Sequence, residues 1–119
     1  VEPQYYDDMR LSLEKGELVS IKPDKTTICD ALTVAVAGNL TFSINKKILK
    51  GGLVVTDNEV KNAIRFLKNK LKIVSEPGGA APTAAFLSRY INFQNKVVIV
   101  MVSGGNIDKD LFKRIMNNE

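Results

Sequence analysis

The sequence contains no histidine and a single cysteine, Cys29. Without histidine, the chain cannot supply a Ser-His-Asp or Cys-His catalytic arrangement, or a histidine-based zinc or iron site. One cysteine excludes an internal disulfide framework and a structural zinc site, and it is typical of a protein in the reducing cytoplasm. Acid–base catalysis would therefore have to come from Lys, Asp, Glu or Tyr, or from a cofactor that carries the chemistry.

The sequence also lacks a signal peptide and any apolar run near the ~18 residues that a membrane helix needs. The net charge is +4, but the lysines are spread over several segments. Only residues 61–72 are densely basic, and they lack the Gly-rich clamp and aromatic platform beside them that nucleic-acid binders use. We expect a solvated helix face there, and neither a membrane nor a nucleic acid as partner.

Helix signals recur along the 119 residues, which suffice for one domain. The run Thr56-Asp57-Asn58-Glu59 fits a capping box, and it opens an apolar stripe at i, i+3, i+4, i+7 and i+11. The stripe consists of Val60, Ala63, Ile64, Leu67 and Leu71. Four further helices are predicted, over 5–15 with Gly16 as C-cap, over 40–49, from after residue 79 to about 90 with Pro82 in its first turn, and over 108–117.

Strand signals are fewer. Residues 53–55 form one predicted strand, and residues 1–3 read as the end of another. The six apolar, mostly β-branched residues Val97–Val102 predict a buried strand covered on both faces, as in parallel sheets. The alternation predicts an α/β fold with a partial parallel sheet and flanking helices. Because so few strands make a poor free-standing sheet, we expect others to come from chain not present here or from another subunit.

Polar residues stand where α/β proteins bind ligands. Ser103-Gly104-Gly105-Asn106 follows the most buried predicted strand and precedes a helix, although a plain tight turn fits the pattern equally well. Glu76 precedes a Pro-Gly-Gly turn, as an acid or base or as a partner for a lysine. Asp30, in the apolar stretch 28–37, needs either a structural hydrogen bond or a site to face. Cys29 beside it is predicted to be a small buried filler rather than a nucleophile.

Three carboxylates lie near the start of the sequence, at Glu2, Asp7 and Asp8. Carboxylates spaced so closely around a turn can ligate a hard cation, with a backbone carbonyl between them. Acidic residues at a helix start are also expected from the helix macrodipole, and the pattern alone favours this second interpretation.

Six motifs, in order and with their spacings, resemble the C-terminal part of serine/threonine dehydratases. These are fold-type II pyridoxal-phosphate (PLP) enzymes, and they include threonine ammonia-lyase and serine racemase. The matching motifs are Val1-Glu2-Pro3 with Asp7-Asp8, Thr27-Ile28-Cys29-Asp30-Ala31-Leu32, Leu40-Thr41-Phe42, Thr56-Asp57-Asn58-Glu59, Glu76-Pro77-Gly78-Gly79-Ala80 and Val100-Met101-Val102-Ser103-Gly104-Gly105-Asn106. The resemblance implies that the whole chain, 1–119, is part of the large, PLP-binding catalytic domain.

The resemblance also implies roles for five residues at the cofactor. Ser103 would hydrogen-bond the pyridine nitrogen of PLP, with Gly104 beside it. Glu76 and Asp30 match acidic residues near the ring side of the cofactor. Ala31 stands where the family usually has a glycine against the ring, and its methyl group implies either a small shift or altered activity.

The metal-site pattern of the family is a Glu, a backbone carbonyl and an Asp. It falls on Glu2, Tyr6 and Asp8, which would hold magnesium, calcium or potassium. Tyr5 and Tyr6 are bulkier than the small residues common there, but a carbonyl ligand does not depend on its side chain.

The activity implied by the resemblance is deamination of L-threonine or L-serine to a 2-oxo acid and ammonia, in a cytoplasmic homo-oligomer, a dimer or tetramer. The Schiff-base lysine and the Gly-rich phosphate loop of the family match nothing in this chain. We therefore predict no catalytic residue within it, expect it to be inactive alone, and expect the remainder of its own catalytic domain as its partner. The alternative is a non-catalytic small-molecule-binding or interaction module derived from this family.

Overall fold

A computed structural model describes residues 1–118, in which helices surround a two-stranded parallel sheet. Strand β1 (Glu2–Pro3) pairs with β2 (Val54–Val55), in the register Glu2 with Val54 and Pro3 with Val55. The α-helices of this part of the chain are α1 (Asp8–Lys15), α2 (Asn39–Ile48), α3 (Asp57–Phe66), α4 (Pro77–Leu87) and α5 (Lys109–Met116). A π-helical turn (Leu67–Leu71) continues α3, and a 3₁₀ turn covers Asp30–Leu32.

The helix ends follow local sequence signals. The predicted capping box of α3 is confirmed, because the Thr56 hydroxyl accepts the Glu59 N–H at 3.3 Å and the Glu59 carboxylate accepts the Thr56 N–H at 2.7 Å. Helix α1 ends at Gly16, whose φ of 74° is left-handed as predicted. Its start was predicted too early, at residue 5. Tyr5 has a φ of 75°, which no α-helix accommodates, so the helix begins at Asp8.

The core lies between α3 and α4. Val60, Ala63 and Ile64 of α3 are buried together with the alanines of α4, whose small side chains let the two backbones approach closely. The predicted apolar stripe fails only at its last member. Leu71 is 55% exposed, because the π-helical turn changes the number of residues per turn and so rotates the stripe away from the core.

The prediction for Pro82 was wrong. Pro77 occupies the first position of α4, and Pro82 lies inside the helix, beyond its first turn. Its ring therefore removes a backbone N–H that would otherwise reach the Gly78 carbonyl.

The segment Val97–Val102 is not a buried strand in the structure. Val97 is 97% exposed, Ile99 87% and Met101 68%, whereas Val98 and Val100 are half-buried. The side chains alternate as in an extended chain that rests on the protein with one face. The prediction required neighbouring strands on both edges, and residues 1–118 supply none beside this segment.

Candidate functional site

The turn 103–106 is held against the chain that leads into α4. The Gly104 carbonyl accepts the Glu76 backbone N–H at 3.0 Å and the Ser75 hydroxyl at 3.2 Å. In return, the Glu76 carboxylate accepts the Asn106 backbone N–H at 3.1 Å. Side-chain and backbone contacts therefore fix two segments that are 29 and 30 residues apart in sequence.

Glycines make this close contact sterically feasible. A Cβ atom on Gly104 would lie 2.5 Å from the Glu76 carboxyl group. A Cβ on Gly79 would lie 2.8 Å from the Gly104 carbonyl, and one on Gly105 would lie 2.9 Å from the Val74 carbonyl. Glycine is needed at these positions for close backbone approach rather than for an unusual φ.

Ser103 precedes the anchored part of this turn, and its side chain is exposed. Among residues 1–118, no group forms a hydrogen bond with the Ser103 hydroxyl. The hydroxyl can therefore donate to or accept from a ligand without losing a protein partner. It fits a ring nitrogen in this respect.

The 3₁₀ turn that contains Asp30 and Ala31 lies beside the first turn of α4. A Cβ on Gly78 would be 3.4 Å from the Leu32 side chain and 3.8 Å from the Ala31 methyl. The structure thus brings Ala31 to the helix start that Glu76 and Gly104 also border. Asp30 is exposed, and its carboxylate accepts the Ala31 N–H at 2.8 Å. This bond is the structural hydrogen bond that the sequence offered as one of two alternatives.

The carboxylates of Glu2 and Asp8 line one small cavity of about 250 Å³. Both Glu2 oxygens cap α1, accepting the backbone N–H groups of Met9 and Arg10 at 2.9 Å each. Asp8 is only 4% exposed. Burial raises the pKa of Glu2 and of Asp8, and the nearby Asp8 charge adds to the rise at Glu2. Asp7 instead binds Arg10, its Oδ2 lying 2.9 Å from the guanidinium Nε.

This geometry supports a helix-capping role for Glu2, and it leaves the cation site of Glu2, Tyr6 and Asp8 as a prediction. Within the described chain, no three His, Cys, Asp or Glu side chains come together as a metal cluster. Two carboxylates and one carbonyl are a sparser set, and protein oxygens alone would not complete the six or more ligands that Mg²⁺ or Ca²⁺ takes.

One polar centre was missed by sequence reasoning. Besides closing the capping box, the Glu59 carboxylate accepts the Ser88 hydroxyl at 2.8 Å and the Tyr90 hydroxyl. Burial disfavours the charge, but the hydrogen bonds outweigh it and lower the pKa of Glu59 to about 2. The capping motif was visible in the sequence, whereas partners near the end of α4 carry no local signal.

Cys29 is fully buried. Burial raises the pKa of its thiol to about 11, so that the thiolate is scarce at neutral pH. This agrees with the prediction of a buried filler.

A model of the pyridoxal-phosphate dependent enzyme family matches residues 1–104. The chain belongs to this family, and the family implies PLP as its cofactor. In the part of the chain that is described, no helix has the length and apolar character needed to cross a bilayer.

Two relatives show the kind of enzyme that this chain is similar to. It is 34% identical to the L-threonine ammonia-lyase of Thermotoga maritima over 117 residues, which are 98% of this chain and 29% of that protein. It is 37% identical to the serine racemase of Dictyostelium discoideum over 119 residues, covering 98% and 36%. The chain thus spans about a third of the length of the curated relatives it matches.

Solved structures agree with the fold. A bacterial threonine deaminase (T.th.) superposes with a TM-score of 0.81 at 33% identity, over 90% of this chain and 39% of that one. Maize serine racemase gives a TM-score of 0.81 at 29% identity, over 98% and 36%. The predicted class, a partial parallel sheet with flanking helices from a fold-type II PLP enzyme, is confirmed.

Proposed function

We propose that this chain is the C-terminal part of the catalytic domain of a PLP-dependent threonine/serine ammonia-lyase. The observation that carries the proposal is the anchored turn 103–106, which leaves the Ser103 hydroxyl exposed and, within residues 1–118, without a protein partner at a ligand-binding edge. Similarity to an L-threonine ammonia-lyase and to a catabolic L-threonine dehydratase of Staphylococcus aureus supports this reaction class. The reaction converts a hydroxy amino acid into a 2-oxo acid and ammonia.

In this proposal the chain binds one side of the cofactor ring. The Ser103 hydroxyl hydrogen-bonds the pyridine nitrogen, and Gly104 lets the backbone come close. Ala31 and Glu76 border the same side, and Asp30 lies at the margin. PLP, when bound, supplies the electron sink for the elimination. Because a hydroxyl is neutral, Ser103 leaves the ring nitrogen unprotonated, which suits the loss of a β-hydroxyl group.

The covalent anchor and the phosphate cradle are proposed to lie in the remainder of the catalytic domain, upstream of this chain. This chain holds no residue that we assign to proton transfer, so we expect it to be inactive by itself. The complete enzyme is proposed to be a cytoplasmic homo-oligomer that acts on an amino-acid substrate.

A cation is proposed at Glu2, Tyr6 and Asp8, from the family pattern and from the shared cavity of the two carboxylates. A divalent ion there would compensate two half-buried or buried negative charges. Its role would be structural, because it would connect β1 to α1.

The test uses the complete protein, purified with PLP. We expect visible absorbance from bound PLP, 2-oxobutanoate from L-threonine or pyruvate from L-serine, and weaker PLP absorbance in Ser103→Ala. The matched control is Ser20→Ala, at an exposed serine in the loop after α1. Neither absorbance nor product from the wild type would contradict the proposal and favour the non-catalytic binding module.

A second candidate reaction is racemisation of serine, which the 37% identity to a serine racemase favours. Chiral analysis of the same reaction mixture separates the two. D-serine in excess of pyruvate would identify a racemase, and 2-oxo acid without D-serine would identify an ammonia-lyase.

A further inference from the structure

We propose that Glu76 is a positioning residue, which holds the turn 103–106 so that the Ser103 hydroxyl meets the cofactor. This inference rests on the proposed function, because Ser103 has a partner to meet only if PLP binds beside it. It assigns to Glu76 an action through the protein backbone rather than a direct contact with the ring.

Glu76 holds the turn at two points. Its carboxylate Oε2 accepts the Asn106 N–H at 3.1 Å, and its own backbone N–H donates to the Gly104 carbonyl at 3.0 Å. A hydrogen bond to a charged acceptor is about twice as strong as a neutral one. Glu76 therefore fixes the residues on the C-terminal side of Ser103 with its side chain and its main chain together.

Packing directs the carboxylate to the turn. A Cβ on Gly104 would lie within 2.5–2.6 Å of all three atoms of the Glu76 carboxyl group, so this group lies directly on the Gly104 backbone. The Ser103 side chain has no protein partner of its own among residues 1–118. Its location is consequently set by the neighbouring residues that Glu76 holds.

The experiment is a double-mutant cycle in the complete protein with PLP, using Glu76→Ala, Ser103→Ala and the double variant. We expect E76A to weaken PLP binding about fivefold to tenfold, as the loss of one charge-assisted hydrogen bond implies. In the S103A background, E76A should add less than about twofold, because the group it positions is gone. Equal losses in both backgrounds would overturn the inference.

The conservative variant Glu76→Gln separates positioning from charge, because an amide oxygen can still accept the Asn106 N–H. We expect E76Q to retain PLP affinity to within about threefold, and to retain the absorbance maximum of the bound cofactor. Affinity as low as that of E76A would overturn the inference even if E76A itself folds poorly. The matched control is Glu17→Ala, at an exposed carboxylate in the loop after α1.

Amide hydrogen exchange measured without PLP gives a readout that needs no activity. E76A should speed exchange at Asn106 about tenfold relative to the wild type and to E76Q, because the N–H loses its acceptor. Unchanged exchange in E76A would overturn the positioning inference alone. Absence of PLP binding in the wild type would instead contradict the proposed function, so the two failures are distinguishable.

Discussion

Glu59 connects two parts of the chain that are distant in sequence, and replacing it by glutamine tests what this connection contributes. Its carboxylate accepts hydrogen bonds from the Thr56 backbone and hydroxyl, from the Ser88 hydroxyl and from the Tyr90 hydroxyl. Glu59→Gln keeps the size of the side chain. It removes the charge and places an NH₂ group, which cannot accept, among these donors.

The magnitude follows from the pKa of Glu59, which is about 2 in the folded protein against an ordinary 4.5. A pKa that is lower in the folded state means stabilisation that is present above pH 4.5 and lost as the pH falls through about 2. An unscreened shift of this size would correspond to about 3 kcal/mol. Because the carboxylate is partly exposed to water, we expect about 1–2 kcal/mol at neutral pH.

Urea unfolding followed by far-UV circular dichroism, from pH 7 down to about pH 2.5, measures this contribution. E59Q should have the lower free energy of unfolding at pH 7, and the difference from wild type should shrink as the pH falls below about 4.5. The control is Glu17→Gln, whose carboxylate is exposed. A difference that stays constant with pH, or one no larger than that of the control, would refute the assignment of a stabilising charge to Glu59.

Three further predictions concern neighbouring glycines, the cysteine and the cation. Gly79→Ala should lower the free energy of unfolding by about 1–3 kcal/mol, whereas Gly78→Ala should be near neutral; urea unfolding of both checks this, since the new methyl would meet the Gly104 carbonyl at 2.8 Å in the first and a flexible Leu32 side chain at 3.4 Å in the second. Cys29 should resist Ellman's reagent at about pH 7.5 until the protein is unfolded, because it is buried and its pKa is about 11; fast native labelling would contradict this. Removing divalent ions with EDTA should lower Tm, and Mg²⁺ or Ca²⁺ should restore it in the wild type but not in Asp8→Asn; a Tm independent of ions would count against the site.

Local signals in the sequence predicted most helices. The capping box at Thr56–Glu59 and the left-handed cap at Gly16 were both recognisable, because each depends on residues within four positions. The turn 103–106 was recognised as a ligand edge for a similar reason, from its place after an apolar run and before a helix. These features need no knowledge of distant contacts.

Features that depend on distant contacts were missed. The partners of Glu59 at Ser88 and Tyr90 lie 29 and 31 residues away, and no spacing rule reports them. The burial of Val97–Val102 was overestimated, because an apolar run predicts a covered strand only where other strands are present to cover it. Pro82 was misplaced because the helix already began at Pro77, where a proline costs nothing.

The extended segment Val97–Val102 also bears on how the protein is made. Its six residues combine high β-propensity with the absence of charge and proline, which is the composition of segments that nucleate aggregates. Lys96 provides a flanking charge on one side only, and Ser103 and Gly104 on the other side provide none. A newly synthesised chain that leaves this edge uncovered should therefore stack on copies of itself, and the speed with which other strands cover it should limit the soluble yield.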